Sequence, residues 1–144
     1  MMRMNKEEIK QYNPHRDPIQ LVDEVVSLEP GKSVTAIYHI PEDMAIFQGH
    51  FPGYPVFPGV YSIESMGQAA NLMFATLDRY KGKTPLLFKV NNAVFRSPIR
   101  PGDTTTLEAE VVDEKPARGI IVSKCRSIVN GKVAAECELV VAMR

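Results

Sequence analysis

The chain has no excess of either charge, because 17 Lys and Arg balance 17 Asp and Glu. That balance argues against a general affinity for nucleic acid or membrane surfaces. No apolar run approaches the roughly 20 residues that cross a bilayer. The opening stretch, MMRMNKEEIKQYNPHRDP, has no apolar core ahead of a small-residue cleavage site, so no secretory signal is expected. Internal repeats, linkers and low-complexity tracts are missing, and 144 residues suffice for one core but not two. One domain over 1–144 is therefore expected. No serine or cysteine sits in a recognisable nucleophile motif, and neither a glycine-rich phosphate loop nor a metal-ligand cluster occurs. His15 and His39 stand apart and make no metal-binding spacing.

Cysteine is scarce too, with two in the chain. Asn130-Gly131 between apolar runs predicts a two-residue type I′ hairpin. Counting back from that turn sets Val129 opposite Lys132 and Cys125 opposite Glu136. Cys137 then points to the other face, so a Cys125–Cys137 disulfide is not expected. Two unpaired, buried cysteines fit a reducing cytoplasm.

What is present divides into clear segments. Residues 1–18 form an irregular lead-in in which Pro14 and Pro18 oppose helix formation. IQLVDEVVSLE (19–29) and KSVTAIYHI (32–40) read as two strands joined by a turn at Pro30-Gly31. A loop crowded with proline and glycine follows. From Val60 the apolar spacing becomes helical, with Val60, Ile63, Gly67, Ala70, Phe74 and Leu77 on one stripe. Met66, Ala69 and Met73 widen that stripe, so the helix should be largely enclosed. Pro58 suits its start and Gly82 its stop. Four more strands are expected within 85–99, 104–114, 119–129 and 132–143, with a turn at Pro101-Gly102-Asp103 between the first two. The order β-β-α-β-β-β-β predicts an α+β fold, an antiparallel sheet wrapped around one long helix.

Three groups around the helix start can carry chemistry. His50 lies in the apolar loop GHFPGYPVFPGV and suits proton abstraction near neutral pH. Glu64 is the sole charged residue between Val60 and Leu77, which weakens the ordinary reading of a solvated helix face. Apolar surroundings would raise its pKa and suit it to donate a proton. The nearby helix N-terminus works the other way, and sequence leaves the balance open. The backbone N–H of Gly59 is an orphan donor of the first turn, able to polarise a carbonyl oxygen. Base, acid and oxyanion donor together suit proton removal beside a carbonyl and loss of a β-hydroxyl. One charge feature stands apart. From Arg79 to Gly102 the basic residues Arg79, Lys81, Lys83, Lys89, Arg96 and Arg100 meet no acid, which marks either a solvated surface or a docking patch for an acidic partner.

The stretch Gly49 to Gln68, GHFPGYPVFPGVYSIESMGQ, resembles the (3R)-hydroxyacyl-acyl-carrier-protein dehydratases of type II fatty-acid synthesis, which have the hotdog fold. Their pattern is G-H-F-P-x-x-P-x-x-P-G-V-x-x-x-E-x-x-x-Q. PHR at 14–16, LVD at 21–23, EPGK at 29–32, FR.P at 95–98 and PGD at 101–103 extend the resemblance over nearly the whole chain. It implies a homodimer with sheets side by side, often three dimers in a hexamer, and an active site shared between subunits. It implies His50 as base, Glu64 of the other subunit as acid, Gly59 N–H as oxyanion donor and Gln68 as support for Glu64. Phe51, Phe57 and Val60 would help wall an acyl tunnel. Acyl carrier protein would deliver substrate on its phosphopantetheine arm, with no further cofactor or metal. Lys89, Arg96 and Arg100 become candidate docking residues. The family's small Ala-Gly pair and Asp after the helix are replaced here by Phe88, Lys89 and Asn91. Ser65 and Gly67 replace alanines and Tyr61 a leucine, which bears on chain length and on a specialised pathway. A thioesterase or a catalytically silent acyl-binding subunit are the rival expectations, and the intact His50 loop argues against the first. Isomerase activity belongs to a sister family with Asp at the position of Glu64.

Overall fold

The stretch Gly59–Ala75 contains no proline and only two β-branched residues, Val60 and Ile63. It forms one uninterrupted helix, α2, which the rest of the chain is arranged to cover. A computed structural model describes residues 2–144. In chain order the elements are β1 (Met2–Met4), α1 (Lys6–Ile9), β2 (Glu24–Glu29), β3 (Ser33–His39), α2 (Gly59–Ala75), β4 (Pro85–Phe95), β5 (Thr104–Lys115), β6 (Ile120–Val129) and β7 (Lys132–Met143). The strands form one sheet in the order β1-β2-β3-β5-β6-β7-β4, antiparallel at every pairing. Helix α2 packs across β2, β3, β5, β6 and β7. From β2 onward this is the expected α+β order, and it is the hotdog arrangement.

Burial explains why the helix stays in place. Met66, Ala69, Ala70, Leu72, Met73 and Phe74 are all buried against the sheet, together with Leu28, Leu107, Ile121 and Leu139. The β2–β3 turn ties the helix's far end, because the Gly31 N–H donates to the Met73 carbonyl at 2.7 Å. Truncating Phe74 empties the middle of this core. Phe74→Ala is expected to lower stability by roughly 3–5 kcal/mol, read as a shift of the chemical-denaturation midpoint.

The helix face differs from the predicted stripe. Val60 is 71% exposed, whereas Ser62, Ser65, Gln68 and Asn71 are buried. Ala70 and Phe74 of the stripe are in the core and Ile63 packs against it, but Val60, Ile63 and Gly67 also line a cavity beside β4. The helix also stops earlier, at Ala75, where the Thr76 hydroxyl donates back to the Leu72 carbonyl. Gly82 ends a separate short turn, Asp78–Tyr80, at φ 79°.

The lead-in is more ordered than expected. It holds β1 and the one-turn helix α1, whose Asn5 and Glu8 cap one another reciprocally. Asn-x-x-Glu is a capping-box spacing visible in the sequence. Residues Ile19–Asp23, expected as the start of a strand, are not in the ladder. The backbone of Leu21 is engaged elsewhere, its N–H donating to Gln68 Oε1 and its carbonyl accepting from Ser65 Oγ. Of this backbone, among the described residues, only the Asp23 N–H reaches β3, at the Ile37 carbonyl.

The cysteine register also needs correction. Asn130 and Gly131 have φ 52° and 77°, as a type I′ turn requires, and Val129 does face Lys132. A bulge between Ser127 and Ile128 then shifts the pairing by one residue, so Cys125 faces Cys137. Both thiols are free and buried on the same face of the sheet.

Candidate active site

Proline and a backbone hydrogen bond from Phe57 to Ile99 hold the His50 loop. Phe51 and Gly53 take positive φ, and Tyr54 N–H closes a turn onto the Phe51 carbonyl at 2.8 Å. Phe57 is buried, packs against the Tyr38 and Tyr61 rings, and donates its N–H to the Ile99 carbonyl. Between these anchors the His50 Nδ1 lies 2.8 Å from the Val56 carbonyl oxygen. A carbonyl can only accept, so Nδ1 carries the proton and Nε2 of the neutral ring presents a lone pair. The Phe51 ring lies 4.3 Å from the imidazole.

His50, Phe51, Phe57, Gly59 and Phe95 line one cavity of about 450 Å3. Gly59 is the first residue of α2, and its N–H has no protein partner among the described residues. A Cβ at this position would lie 2.9 Å from Phe95 Cε1, so the aromatic ring rests directly against the glycine. The helix N-terminus, its free N–H and the imidazole therefore open into the same space.

Glu64 stands one turn further along α2 and lines a different cavity, of about 340 Å3, with His15, Val60, Asn71, Leu87 and Val90. Its Oε2 accepts from Gln68 Nε2 at 3.0 Å and lies 3.5 Å from His15 Nε2. Gln68 is fully engaged: its second N–H reaches the Ile19 carbonyl at 2.7 Å and its Oε1 accepts from Leu21 N–H at 2.8 Å. Ser65, Gln68 and Asn71 thus form a buried polar row that fastens residues 13–21 to the helix, with Asn13 bridging Gln68 and Asn71. The sequence shows this row as three polar residues at spacing three inside an apolar helix. Buried polar groups need partners, so the row signals that another segment lies against the helix; the structure shows that segment to be residues 13–21.

The structure therefore separates the expected site residues into two sets. His50, Gly59, Phe51 and Phe57 share one cavity, while Glu64 and Val60 share the other. Gln68 contacts Glu64 as the i, i+4 spacing suggested. Among the expected docking residues, Arg96 is paired with Glu136, and Arg100 stacks over the Tyr54 ring. Lys89 makes no ion pair among the described residues. The basic run is also less free than its sequence suggests, because Arg79 pairs with Glu114. Phe88 lines neither cavity; its neighbours Leu87 and Val90 line that of Glu64. Asn91 donates to Glu138.

A family model described as a FabA-like domain matches residues 13–138, which include all of these groups. The chain belongs to the FabA-like family. A 3-hydroxyacyl-(acyl-carrier-protein) dehydratase FabZ of Ruminiclostridium cellulolyticum is 42% identical over 140 residues, 97% of each chain. A FabZ of Clostridium acetobutylicum is 43% identical over 138 residues, 96% of each chain. Among solved structures, the dehydratase heterocomplex ApeI:P from Xenorhabdus doucetiae superposes with a TM-score of 0.77 at 15% identity, over 94% of this chain and 90% of that one. A hypothetical thioesterase with coenzyme A from Streptococcus pneumoniae gives 0.64 at 12% identity, over 83% of this chain and 84% of that one. At those identities the two structures share the FabA-like chain's fold, and nothing about its chemistry follows.

Proposed function

We propose that this FabA-like protein dehydrates (3R)-hydroxyacyl-acyl-carrier-protein to trans-2-enoyl-acyl-carrier-protein in fatty-acid synthesis. The observation that carries the reaction chemistry is the free Nε2 of His50 sharing a cavity with an unpartnered helix N-terminal N–H. His50 Nε2 takes the α-proton of the thioester. Negative charge then develops on the thioester oxygen, where the Gly59 N–H and the positive end of α2 stabilise it. The α,β double bond forms as the C–O bond breaks, and the leaving hydroxyl takes a proton from Glu64 to depart as water.

Within one chain the base and the acid open into different cavities. A second copy supplying Glu64 to the cavity of His50 makes a complete set. The sheet edge offers the means: β4 has a partner on one side only, β7, and exposes Leu86, Phe88, Val94 and Phe95. The working unit is then a homodimer joined along β4, with the hexamer a further assembly of such pairs. One domain spans the chain. Acyl carrier protein brings the substrate on its phosphopantetheine arm, Lys89 and Arg100 contribute to its docking, and the arm makes a separate cofactor unnecessary.

The direct test supplies 3-hydroxyacyl-acyl-carrier-protein and follows enoyl absorbance. Time-dependent formation of the enoyl thioester is expected, and its absence in correctly folded, oligomeric protein overturns the assignment. The Gly59 assignment has its own test. Gly59→Ala forces the half-exposed Phe95 ring to shift, and that ring borders the cavity of His50. A drop in kcat of about tenfold or more, with little change in melting temperature, is expected from a misplaced thioester. Unchanged kinetics would show that close backbone approach at Gly59 is not needed.

A further inference from the structure

We infer that His15 is a positioning residue for Glu64, a neutral donor that holds one carboxylate oxygen so that the other faces the substrate. This rests on Glu64 being the acid. A helix-surface glutamate normally samples several rotamers, and Glu64 is part-exposed in one chain. Here both polar contacts converge on the same oxygen. Gln68 Nε2 lies 3.0 Å from Oε2, and His15 Nε2 lies 3.5 Å from it. Oε1 has no hydrogen-bond partner among the described residues, which leaves it as the oxygen available to a leaving hydroxyl.

Local structure fixes the imidazole. Arg16 folds back on the chain, donating from Nη1 to the Asn13 and His15 carbonyls and from Nη2 to that of Lys10. Pro14 restricts the backbone on the other side. The His15 Nδ1 is buried and has no partner. A proton on Nδ1 would leave a buried N–H without an acceptor and turn the Nε2 lone pair toward a carboxylate oxygen, whereas a proton on Nε2 faces that oxygen. The single proton therefore belongs on Nε2, facing the carboxylate.

The charge state supports the same role. Burial pushes the His15 pKa below its ordinary 6.5, the carboxylate of Glu64 opposes that shift, and the Arg16 cation adds to it. Glu64 from α2 and the adjacent Arg16 are the charged groups that face the ring. The cavity wall from β4 and β7 is apolar here: Pro85, Leu87 and Val90, with Leu139 and Val141. At neutral pH the ring is thus an uncharged donor. Were it to become a cation, it would hold Glu64 as the carboxylate and deny it the proton it must give up.

The sign of the pH effect follows. A depressed pKa means that His15 charges only as the pH falls below 6.5, so the acid limb of kcat falls there as the donor becomes a cation. Folding stability moves in the same direction. Above 6.5 both states hold a neutral ring; below it the unfolded chain binds the proton first, and stability declines.

The experiment measures kcat and KM for wild type, His15→Ala, His15→Gln and Glu64→Gln between pH 5 and 9, with melting temperature beside each. In His15→Ala, kcat is expected to fall about 10- to 100-fold with KM nearly unchanged, from lost orientation of the acid. His15→Gln keeps an N–H toward Oε2 and does not titrate. It should recover much of kcat and lose the His15-dependent part of the acid limb. Wild-type kcat in His15→Ala overturns the proposal. So does an equal loss in both variants with the acid limb unaltered, which marks a purely structural residue. If His15→Ala fails to fold, the pH profile of His15→Gln decides alone. An active Glu64→Gln overturns the acid assignment and the His15 role with it. An inactive Glu64→Gln beside fully active His15 variants overturns only the latter.

Discussion

Mixing His50→Ala with Glu64→Gln restores activity that neither variant has alone. Each variant by itself is expected to lose about 100- to 10,000-fold in kcat, the usual contribution of a positioned acid or base. In a two-fold dimer with sites shared between subunits, the mixed dimer holds one site with both residues intact and one with neither. Complete exchange of equal amounts makes half of the dimers mixed, so about one quarter of wild-type activity returns. The fraction is the informative quantity, because a site contained in one chain returns nothing. Exchange is established independently by differential tagging and native mass spectrometry. No recovery in a sample with proven exchange sinks the shared site, whatever the single variants do.

Charging the free edge of β4 is expected to remove activity without touching either cavity. Phe88 is 70% exposed and Leu86 lies two residues before it on an eleven-residue edge strand. Long apolar edges are sites of strand pairing, and a pair of aspartates on each copy would be brought together by a two-fold axis. Leu86→Asp with Phe88→Asp should therefore give a monomer by sedimentation, with activity lowered about 100-fold or more through separation of acid from base. Neither side chain is buried in one chain, so the denaturation midpoint of the dilute protein is expected to change little. A fully active monomer would disprove the role of the edge, and a dimer with lost activity would move the defect elsewhere.

The sequence made the central helix and the strands legible because their signals are local. A proline-free run with helical spacing gave α2, and β-branched runs between Pro-Gly and Asn-Gly turns gave β3 and β5 to β7. The errors have a common physical origin. Ile19–Asp23 has the composition of a strand, but buried side chains of α2 claim the backbone of Ile19 and Leu21, a competition no local window contains. The Cys125–Cys137 pairing departs from the count off the turn because a bulge at Ser127 and Ile128 changes it, and Asn130-Gly131 fixes register only as far as the ladder stays regular. His50, Gly59, Glu64 and Gln68 could be chosen from the sequence because they fall in one short segment. His15 could not, since it reaches Glu64 from 49 residues away. The row Ser65, Gln68, Asn71 is the one local trace of that contact, and it is set within an otherwise apolar helix.

The two halves of this chemistry are exposed very differently to genetic change. What fixes the proton on His50 is the carbonyl of Val56, an atom that every residue type supplies. Substitution at that position alters packing but leaves the acceptor in place, so the tautomer of the base is inherited with the loop's path. Glu64 instead answers to the side chains of Gln68 and His15, each removable by a single codon change. Variation among natural or evolved forms should therefore accumulate on the acid side, with the base kept constant by the main chain beneath it.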